Sequence, residues 1–448
     1  MASGDAIQPF AISVSDEVLH ELSEKLKITR LPDELELRDD QKWDWGIPLS
    51  VLRPIVDYWR TEYDWRAVED RINKSLPQFI ANIDSLDHGL QQVHFVHKRS
   101  ADPKATPLLF IHGWPGNFLE VSKMIDELTS PKDINAPSFH VVAPSLPGYV
   151  FSQRASTPGM EAKASAFIFD KLMSVLGYQK YIAQGGDWGS LVCRALAVHH
   201  QGSCVGTHIN MMIATPPSIL KNPWMTTKII LGFMGLPGGI AEHEVNALKG
   251  VQQFQKYESA YAQLQGTKPQ TLAVGLTDSP VGLLAWITEK LYVWTDNYPW
   301  TPEEIITWTM LYISKGPAGG LRYYKENGLA ERVQGLKNDD FISMWSPTPL
   351  GWSMFPKEVY RFPEEWATII QNHVYTGKHE RGGHFAAWEV PELLLEDIRK
   401  FAIIVASGGK PASAPSYSYS ALLAGISIAA CGALALSRFA PRAFSGRT

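Results

Sequence analysis

The sequence has little cysteine, and the few cysteines form no recognisable pattern. Only three occur in 448 residues, Cys193, Cys204 and Cys431, and none belongs to a CxxC pair or to a Cys/His cluster with zinc spacing. This composition argues against a disulfide framework and against a zinc site. It suits a protein that works in a reducing compartment.

Clustered charge of one sign is also missing. The 41 Lys and Arg residues form no long block, and the formal net charge is −5. A nucleic-acid partner is therefore not expected, because proteins that bind nucleic acids carry clustered basic residues. Hydrophobic residues make up 45% of the chain and charged residues 19%, which predicts a globular protein with a real core.

Long apolar runs are absent except near the C-terminus. The N-terminus has no basic region followed by an apolar stretch, so no secretory signal is predicted. Residues 421–436 are apolar and uncharged, and a Gly/Pro/Ser/Tyr linker precedes them. As a helix they would span ~24 Å, against a hydrocarbon core of ~30 Å. Two interpretations stay open: a tail anchor that brings residues 421–440 of a cytosol-facing protein to a membrane, or an apolar tail or interaction helix.

Between residues 93 and 214, short apolar runs that predict strands alternate with stretches of helical periodicity. The predicted strands are 93–96, 108–111, 139–143, 181–183 and 207–212, and the predicted helices are 118–128, 163–176 and 191–199. Strands that alternate with helices predict an α/β fold with a mostly parallel sheet that is covered on both faces.

The sequence on either side of this part follows a different pattern. Before it, helices are predicted from Ser15 and over residues 48–63, in an otherwise irregular stretch. After it, residues 216–332 are rich in helical periodicity, strand character returns near 368–375, and a last helix is predicted over 391–401. A helical insertion therefore interrupts the predicted sheet.

The sharpest local pattern is Gly185-Gly186-Asp187-Trp188-Gly189, which follows a predicted strand and opens a predicted helix. Glycines two residues to either side of a central residue allow a tight turn that lifts the central side chain off the sheet edge. Serine hydrolases have Ser at that tip, whereas this chain has Asp187. The same pattern is also compatible with an ordinary aspartate at the start of a helix.

A carboxylate at such a tip predicts a particular chemistry. It is ionised at neutral pH, so it attacks a carbon atom without help from a base and leaves an ester on the enzyme. Water must then hydrolyse that ester, which requires a general base, usually His oriented by a second carboxylate. The sequence predicts the helix start behind Asp187 to stabilise the anion.

An earlier turn, His112-Gly113-Trp114-Pro115-Gly116, directly follows a predicted buried strand. In hydrolase sheets this is the place where backbone N–H groups meet a developing oxyanion. The N–H groups of Trp114 and Trp188 are the candidates, although a Gly/Pro turn by itself is common.

The candidate base is His384, in the glycine-rich run Arg381-Gly382-Gly383-His384-Phe385 after the last predicted strand. The chain order Asp187, Glu358, His384 is the order of nucleophile, acid and base in α/β-hydrolases. His373 and His379 are weaker candidates because they lack the flanking glycines.

The segments HGWPG, GGDWG, FPKE and RGGHFAAWEVPELL resemble those of the microsomal-type epoxide hydrolases, fungal members included. The resemblance runs to about residue 404 and includes an N-terminal stretch similar to the meander of that family. It implies an α/β-hydrolase fold with a mostly parallel central sheet, an N-terminal meander and a helical lid insertion. Mammalian members carry an N-terminal membrane anchor, whereas this chain begins with the meander, so the resemblance implies no membrane topology here.

The resemblance also implies roles for matching residues. Asp187 would be the nucleophile, His384 the base and Glu358 its partner, with Glu380 and Asp397 as less suitable acids. Two lid tyrosines would donate hydrogen bonds to the epoxide oxygen, and Tyr261 and Tyr324 match them, with the adjacent Tyr323 a weaker candidate. The implied partners are a small apolar epoxide and water, and no metal or organic cofactor is implied.

The predicted division of the chain follows from these motifs. Residues 1–100 hold the meander and first strands, 101–214 and 336–405 the two parts of the hydrolase core, 215–335 the lid, and 406–448 the linker and apolar tail. Three other functions compete: a haloalkane dehalogenase, which shares the fold and the Asp nucleophile; a serine hydrolase, disfavoured by Asp at the tip; and a non-catalytic binding protein with this fold. The natural epoxide and the oligomeric state are not predicted.

Overall fold

A twisted nine-stranded sheet forms the centre of the computed structural model, which describes residues 7–85, 87–328 and 340–408. The strands are β1 Gln8–Phe10, β2 Gln78–Asp84, β3 Leu90–Lys98, β4 Thr106–Ile111, β5 Phe139–Pro144, β6 Tyr181–Gly185, β7 Cys204–Ile209, β8 Ser346–Met354 and β9 Gln371–Lys378. Their spatial order is β1-β2-β3-β5-β4-β6-β7-β8-β9.

The sheet has an antiparallel edge and a parallel body. β1, β2, β3 and β5 pair antiparallel in that order, and the six strands from β5 to β9 pair in parallel. The carboxyl ends of β4, β6, β8 and β9 therefore meet at one edge, where α/β sheets usually bind ligands. The predicted α/β-hydrolase fold is confirmed.

Helices cover both faces of the sheet and fill one long insertion. They are α1 Asp16–Ile28, α2 Leu49–Thr61, α3 Trp65–Ser75, α4 Ile125–Thr129, α5 Ala162–Val175, α6 Asp187–His199, α7 Pro223–Phe233, α8 Glu242–Gln253, α9 Ala260–Thr267, α10 Pro269–Asp278, α11 Pro280–Val293, α12 Pro302–Lys315, α13 Ala318–Glu326, α14 Asp340–Ser343, α15 Ala367–Ile370, α16 Ala386–Glu389 and α17 Pro391–Ala406. Helices α7 to α13 lie between β7 and β8 and form the lid.

Local sequence explains most of these elements. Ser15 caps α1, and its side chain accepts a hydrogen bond from Val18 N. On α2 the apolar residues recur at helical spacing, and Leu52, Ile55 and Trp59 are buried. The central strands β4, β5 and β6 are buried along nearly their whole length because helices cover both of their faces.

Several predicted elements were wrong in extent. Residues 118–128 form a 3₁₀ turn, Phe118–Val121, and the short helix α4 in place of one helix. The side chain of Asn117 accepts a hydrogen bond from Leu119 N at the start of the 3₁₀ turn. Strand β2 was not predicted, since its sequence QFIANID mixes polar and apolar residues. Strand β8 was also missed, because two prolines and a glycine hide its strand character.

The predicted apolar segment 421–436 lies outside the described residues. Across 7–85, 87–328 and 340–408, no single helix has both the length and the apolar character needed to cross a bilayer. Only the bent pair α10 and α11, at 115° to each other, meets those criteria jointly.

The lid contacts the core through an unusually close backbone approach. Gly319, in α13, lies against Gly148 in the loop after β5, where a Cβ on Gly319 would come within 2.7 Å of the carbonyl carbon and 2.9 Å of the Cα of Gly148. Helix α13 also carries Tyr324. The distance between these two backbones therefore sets how far Tyr324 reaches towards the sheet edge.

We expect Gly319→Ala to displace α13. The added methyl group would overlap backbone atoms of Gly148, and backbone atoms cannot move aside by a rotamer change as a side chain can. Overpacking of this kind costs about 1 to 3 kcal/mol of folding free energy. The shift of Tyr324 should lower kcat/KM for an epoxide roughly 10- to 100-fold. Thermal unfolding and steady-state kinetics measure the two effects.

Gly275→Ala is the matched control. Gly275 lies in lid helix α10, and a Cβ there would meet no atom within 4 Å. This substitution should leave kcat/KM unchanged and stabilise the protein by about 0.5 to 1 kcal/mol. Equal activity of the two variants would contradict the proposed role of the close contact.

Candidate active site

Asp187 stands at the end of β6, where the chain turns sharply into α6. Its φ of 45° lies in the left-handed region that non-glycine residues rarely adopt. A Cβ on Gly113 would overlap the Asp187 carboxylate, and a Cβ on Gly189 would overlap the Ile111 carbonyl group. The glycines of both motifs are therefore needed so that the strained turn fits against the end of β4.

One candidate oxyanion donor already contacts this carboxylate. The N–H of Trp114 donates a hydrogen bond to Asp187 Oδ1 at 2.8 Å. Trp188 occupies the next position of α6, but among the hydrogen bonds of the described residues its N–H donates none to this carboxylate. A direct contact therefore supports the role of oxyanion donor predicted for Trp114. For Trp188 the same prediction depends only on its position in the turn.

The ring of the turn residue His112 holds Trp114 in place. His112 Nδ1 donates to Gly113 O at 2.9 Å, and its Nε2 accepts from Leu146 N at 3.1 Å. Burial lowers the pKa of His112 to about 4, which keeps Nε2 unprotonated and able to accept. This histidine is a structural anchor for the turn.

His384 lies between two carboxylates. Its Nδ1 is 2.7 Å from Glu358 Oε1, and its Nε2 is 3.6 Å from Asp187 Oδ2. Burial alone would lower the pKa of His384, but the negative charges of Glu358 and Asp187 outweigh it and raise the pKa well above its ordinary value. This arrangement of charges favours the imidazolium form of His384.

Backbone contacts hold the loops that carry His384 and Glu358. The segments that follow β8 and β9 join through a bridge between Lys357 and Gly383. His384 N donates to Trp294 O, at the end of lid helix α11, at 2.9 Å. Glu358 Oε1 also accepts from Val359 N at 2.6 Å, so this oxygen is fixed in position.

The alternative acid Asp397 belongs to a separate cluster. Its carboxylate accepts hydrogen bonds from Tyr375 Oη at 2.6 Å and His379 Nε2 at 2.7 Å. It also accepts from Ser353 Oγ at 2.5 Å. These contacts engage Asp397 in packing α17 against β8 and β9. The carboxylate that contacts Nδ1 of His384 is that of Glu358.

The lid brings both predicted tyrosines to the same site. The ring of Tyr261 stacks on Trp114 with centroids 5.3 Å apart, and Tyr324 meets Trp188 edge-on at 4.8 Å. The two phenol rings lie 5.9 Å apart, and the buried Tyr324 hydroxyl forms no hydrogen bond of good geometry with any described residue. Burial first, and then nearby charges that include Asp187, raise the pKa of both phenols well above the ordinary value.

Tyr323, the weaker candidate, points elsewhere. Its hydroxyl group is 2.9 Å from Ser165 Oγ on α5, a contact that fixes the lid to the core. Among the lid tryptophans, Trp294 packs edge-on against the ring of His384 at 5.0 Å. Trp300 stacks on Trp388, and Trp286 donates to Gln265, so both of these tryptophans serve packing.

Sequence reasoning missed one residue of the site, Glu120. Its carboxylate lies against Gly116 and occupies the place that a Cβ of that residue would take. Burial raises the pKa of Glu120 to about 8, with smaller opposing effects from His384 and Asp187. A carboxyl group four residues beyond a glycine turn gives no signal in a single sequence, because its approach to His384 depends on the strand order.

No group of three or more His, Cys, Asp or Glu side chains converges as metal ligands within the ranges that the structure describes. The side chains that converge at the sheet edge are instead an anion, a cation and two phenols.

Known proteins are similar in sequence to this chain over most of their length. "Epoxide hydrolase 1" of Sus scrofa is 36% identical over 423 residues, which cover 89% of this chain and 89% of that protein. This chain belongs to the epoxide hydrolase family. The family model described as "Epoxide hydrolase N terminus" matches residues 7–121, and the model of the "alpha/beta hydrolase fold" matches residues 106–272.

Solved epoxide hydrolase structures agree with the fold. The Aspergillus niger epoxide hydrolase has a TM-score of 0.74 at 30% identity, over 89% of this chain and 97% of that chain. The juvenile hormone epoxide hydrolase of the silkworm Bombyx mori has a TM-score of 0.80 at 30% identity, over 90% of this chain and 95% of that chain. The resemblance inferred from the sequence motifs is confirmed.

We expect turnover to fall as the pH rises through about 8, the pKa of Glu120. Below that pH the carboxyl group is neutral, and above it a new negative charge lies near Asp187 and His384. That charge would stabilise the imidazolium form and so reduce the fraction of His384 that is neutral and able to accept a proton, by roughly tenfold for each unit by which its pKa rises. Rate profiles from pH 6 to 10 measure the effect.

Glu120→Gln should remove this decrease, because the amide stays neutral and has nearly the same shape. The tyrosines at the site do not explain a decrease near pH 8, since their pKa values lie well above 10. An unchanged decrease in Glu120→Gln would exclude Glu120 as its origin.

Proposed function

We propose that this protein hydrolyses small apolar epoxides to vicinal diols through a covalent ester on Asp187. One observation carries the proposal: Asp187 Oδ1 accepts from Trp114 N, while Oδ2 lies 3.6 Å from the ring of His384. The phenol rings of the lid residues Tyr261 and Tyr324 lie 5.9 Å from each other at the same site. This geometry supplies a nucleophile, a base and acid groups around one small space.

In the first step, Asp187 Oδ2 attacks an epoxide carbon and the bond from that carbon to the ring oxygen breaks. The oxygen gains negative charge, which the hydroxyl groups of Tyr261 and Tyr324 stabilise, and one of them transfers its proton. Their raised pKa values keep both phenols protonated until that moment. Asp187 Oδ1 becomes the carbonyl oxygen of the ester and stays on Trp114 N–H.

Formation of the ester changes the protonation of His384. Asp187 loses its charge, and with it one of the causes that raise the pKa of His384. The imidazolium can then return a proton, through solvent, to the tyrosinate. A neutral base is therefore produced only after the nucleophile has reacted.

In the second step, neutral His384 takes a proton from water while the water oxygen attacks the ester carbonyl carbon. Negative charge then develops on Oδ1, where Trp114 N–H already lies, with Trp188 N–H as the second proposed donor. Glu358 holds the ring through Nδ1 and stabilises the imidazolium that forms again. The bond between the carbonyl carbon and the oxygen linked to the substrate then breaks. The departing alkoxide takes the remaining proton of the attacking water, the diol leaves, and Asp187 is restored as a carboxylate.

The rival activities explain less of this arrangement. A dehalogenase needs indole or amide donors aimed at a departing halide, whereas two phenols suit an alkoxide. A serine hydrolase would need Ser190 at the tip, but its hydroxyl group donates to Asp187 O at 2.6 Å. Membership of the epoxide hydrolase family favours the epoxide reaction over both.

The decisive experiment compares diol formation from styrene oxide by the wild type with two variants. Asp187→Ala should form no diol, because it lacks the nucleophile. His384→Gln should be alkylated at a normal rate but release no diol, so that intact-mass measurement finds protein plus one substrate. Fast steady turnover by His384→Gln would exclude the role assigned to that residue.

Adjacent tyrosines provide a matched control. Tyr324→Phe removes a proposed proton donor and should reduce the rate of alkylation at least tenfold. Tyr323→Phe removes the hydrogen bonds of its hydroxyl group with Ser165 and Asn327 and should leave that rate nearly unchanged. Equal losses in the two variants would assign Tyr324 to packing. Bromide release from a bromoalkane by the wild type would instead favour the dehalogenase.

We also propose that residues 421–440 attach the protein to a membrane, with the hydrolase domain facing the cytosol. The support is the uncharged run in the sequence and the arginines that follow it. In cells, the full chain should sediment with membranes and resist extraction with carbonate. Leu423→Arg with Ile428→Arg should release it, and Ser413→Arg in the linker should not. Release of the wild type by carbonate would exclude the anchor.

A further inference from the structure

The helix that begins at Asp187 carries a second charged residue, and this one is inside the protein. Arg194 lies two turns along α6, and only 6% of its surface is exposed. Its Nη1 donates to Gln371 Oε1 at 3.2 Å. Its Nε and Nη2 are buried and have no hydrogen-bond partner.

No acid balances this charge in the part of the chain that the structure describes. Burial alone lowers the pKa of Arg194, to about 10, and no neighbouring carboxylate contributes to that shift. The guanidinium group therefore stays a cation at neutral pH. By contrast, the half-buried Arg399 lies 3.7 Å from a carboxylate oxygen of Glu127. A buried charge without a partner is rare in proteins, because its loss of hydration is not compensated.

The free edge of Arg194 faces a cavity of about 10 Å³. Apart from Arg194, its polar lining consists of Ser190, Thr207 and Gln371, and the remaining lining side chains are apolar. Thr207 Oγ1 accepts from Gln371 Nε2 at 2.7 Å, so its own proton is available to the cavity. The cavity therefore offers several donors, while the carboxamide oxygen of Gln371 is already used by Arg194.

We propose that this cavity binds a single monatomic anion of the size of chloride. An anion only accepts hydrogen bonds, which matches the guanidinium N–H groups and the Thr207 hydroxyl group, and it neutralises the buried charge. A water molecule could also bond to these groups, but it would leave the positive charge of Arg194 uncompensated. The volume leaves room for one particle of about the size of water and excludes sulfate, phosphate and carboxylates.

The test is thermal unfolding of the full-length protein at constant ionic strength, with sodium gluconate replaced stepwise by sodium chloride. Because the anion binds only the folded state, the unfolding temperature should rise by roughly 2 °C and level off as the site fills. Arg194→Met should abolish this rise. Arg399→Met, which removes a cation that has a carboxylate partner, should keep it.

Crystals of the wild type grown in sodium bromide provide a measurement that does not depend on any variant. An anomalous difference peak between Arg194 and Thr207 would establish the site. Water alone in that place at high bromide concentration would overturn the proposal. So would a chloride-induced rise of the same size in Arg194→Met.

Discussion

The hydrogen bond from Trp114 N–H to Asp187 Oδ1 joins the ends of two neighbouring strands, β4 and β6. This hydrogen bond requires glycine at two neighbouring positions, because a side chain there would overlap the atoms around it. Gly113 has no Cβ that would overlap the Asp187 carboxylate, and Gly189 has none that would overlap the Ile111 carbonyl group at the start of α6. The strained backbone of Asp187 is therefore fixed by contacts on both sides and does not depend on the lid.

Around this fixed anion the charges alternate. Glu358, His384 and Asp187 form a line of negative, positive and negative groups, and His384 and Glu358 are each only 4% exposed. Such a line carries one net negative charge in a low-dielectric interior. Backbone donors from Trp114 and Val359 neutralise part of it. Loss of the Asp187 charge on alkylation disturbs the whole line, which couples the two chemical steps electrostatically.

Local patterns were enough to predict Asp187 and His384 as the candidate nucleophile and base, and the positions of most core strands along the chain. Asp187 and His384 could be recognised because glycines flank both, and glycine spacing is a local property. The residues that were missed depend on non-local geometry. Glu120 reaches the site only because of the strand order. Segment β8 forms a strand because it pairs with β7 and β9, although its own sequence has weak strand character. The choice between Tyr323 and Tyr324 depends on Ser165, a partner 158 residues away in the chain.

The hydrogen bond from His384 N to the Trp294 carbonyl oxygen crosses from the core to the lid. The base of the reaction is thus positioned partly by the element that also covers the substrate. A hybrid enzyme that takes its lid from a relative would have to keep the end of α11 in register with the glycine loop at 382–383. Evolution of substrate preference through the lid is therefore constrained at that helix end, as well as at the two lid tyrosines, Tyr261 in α9 and Tyr324 in α13.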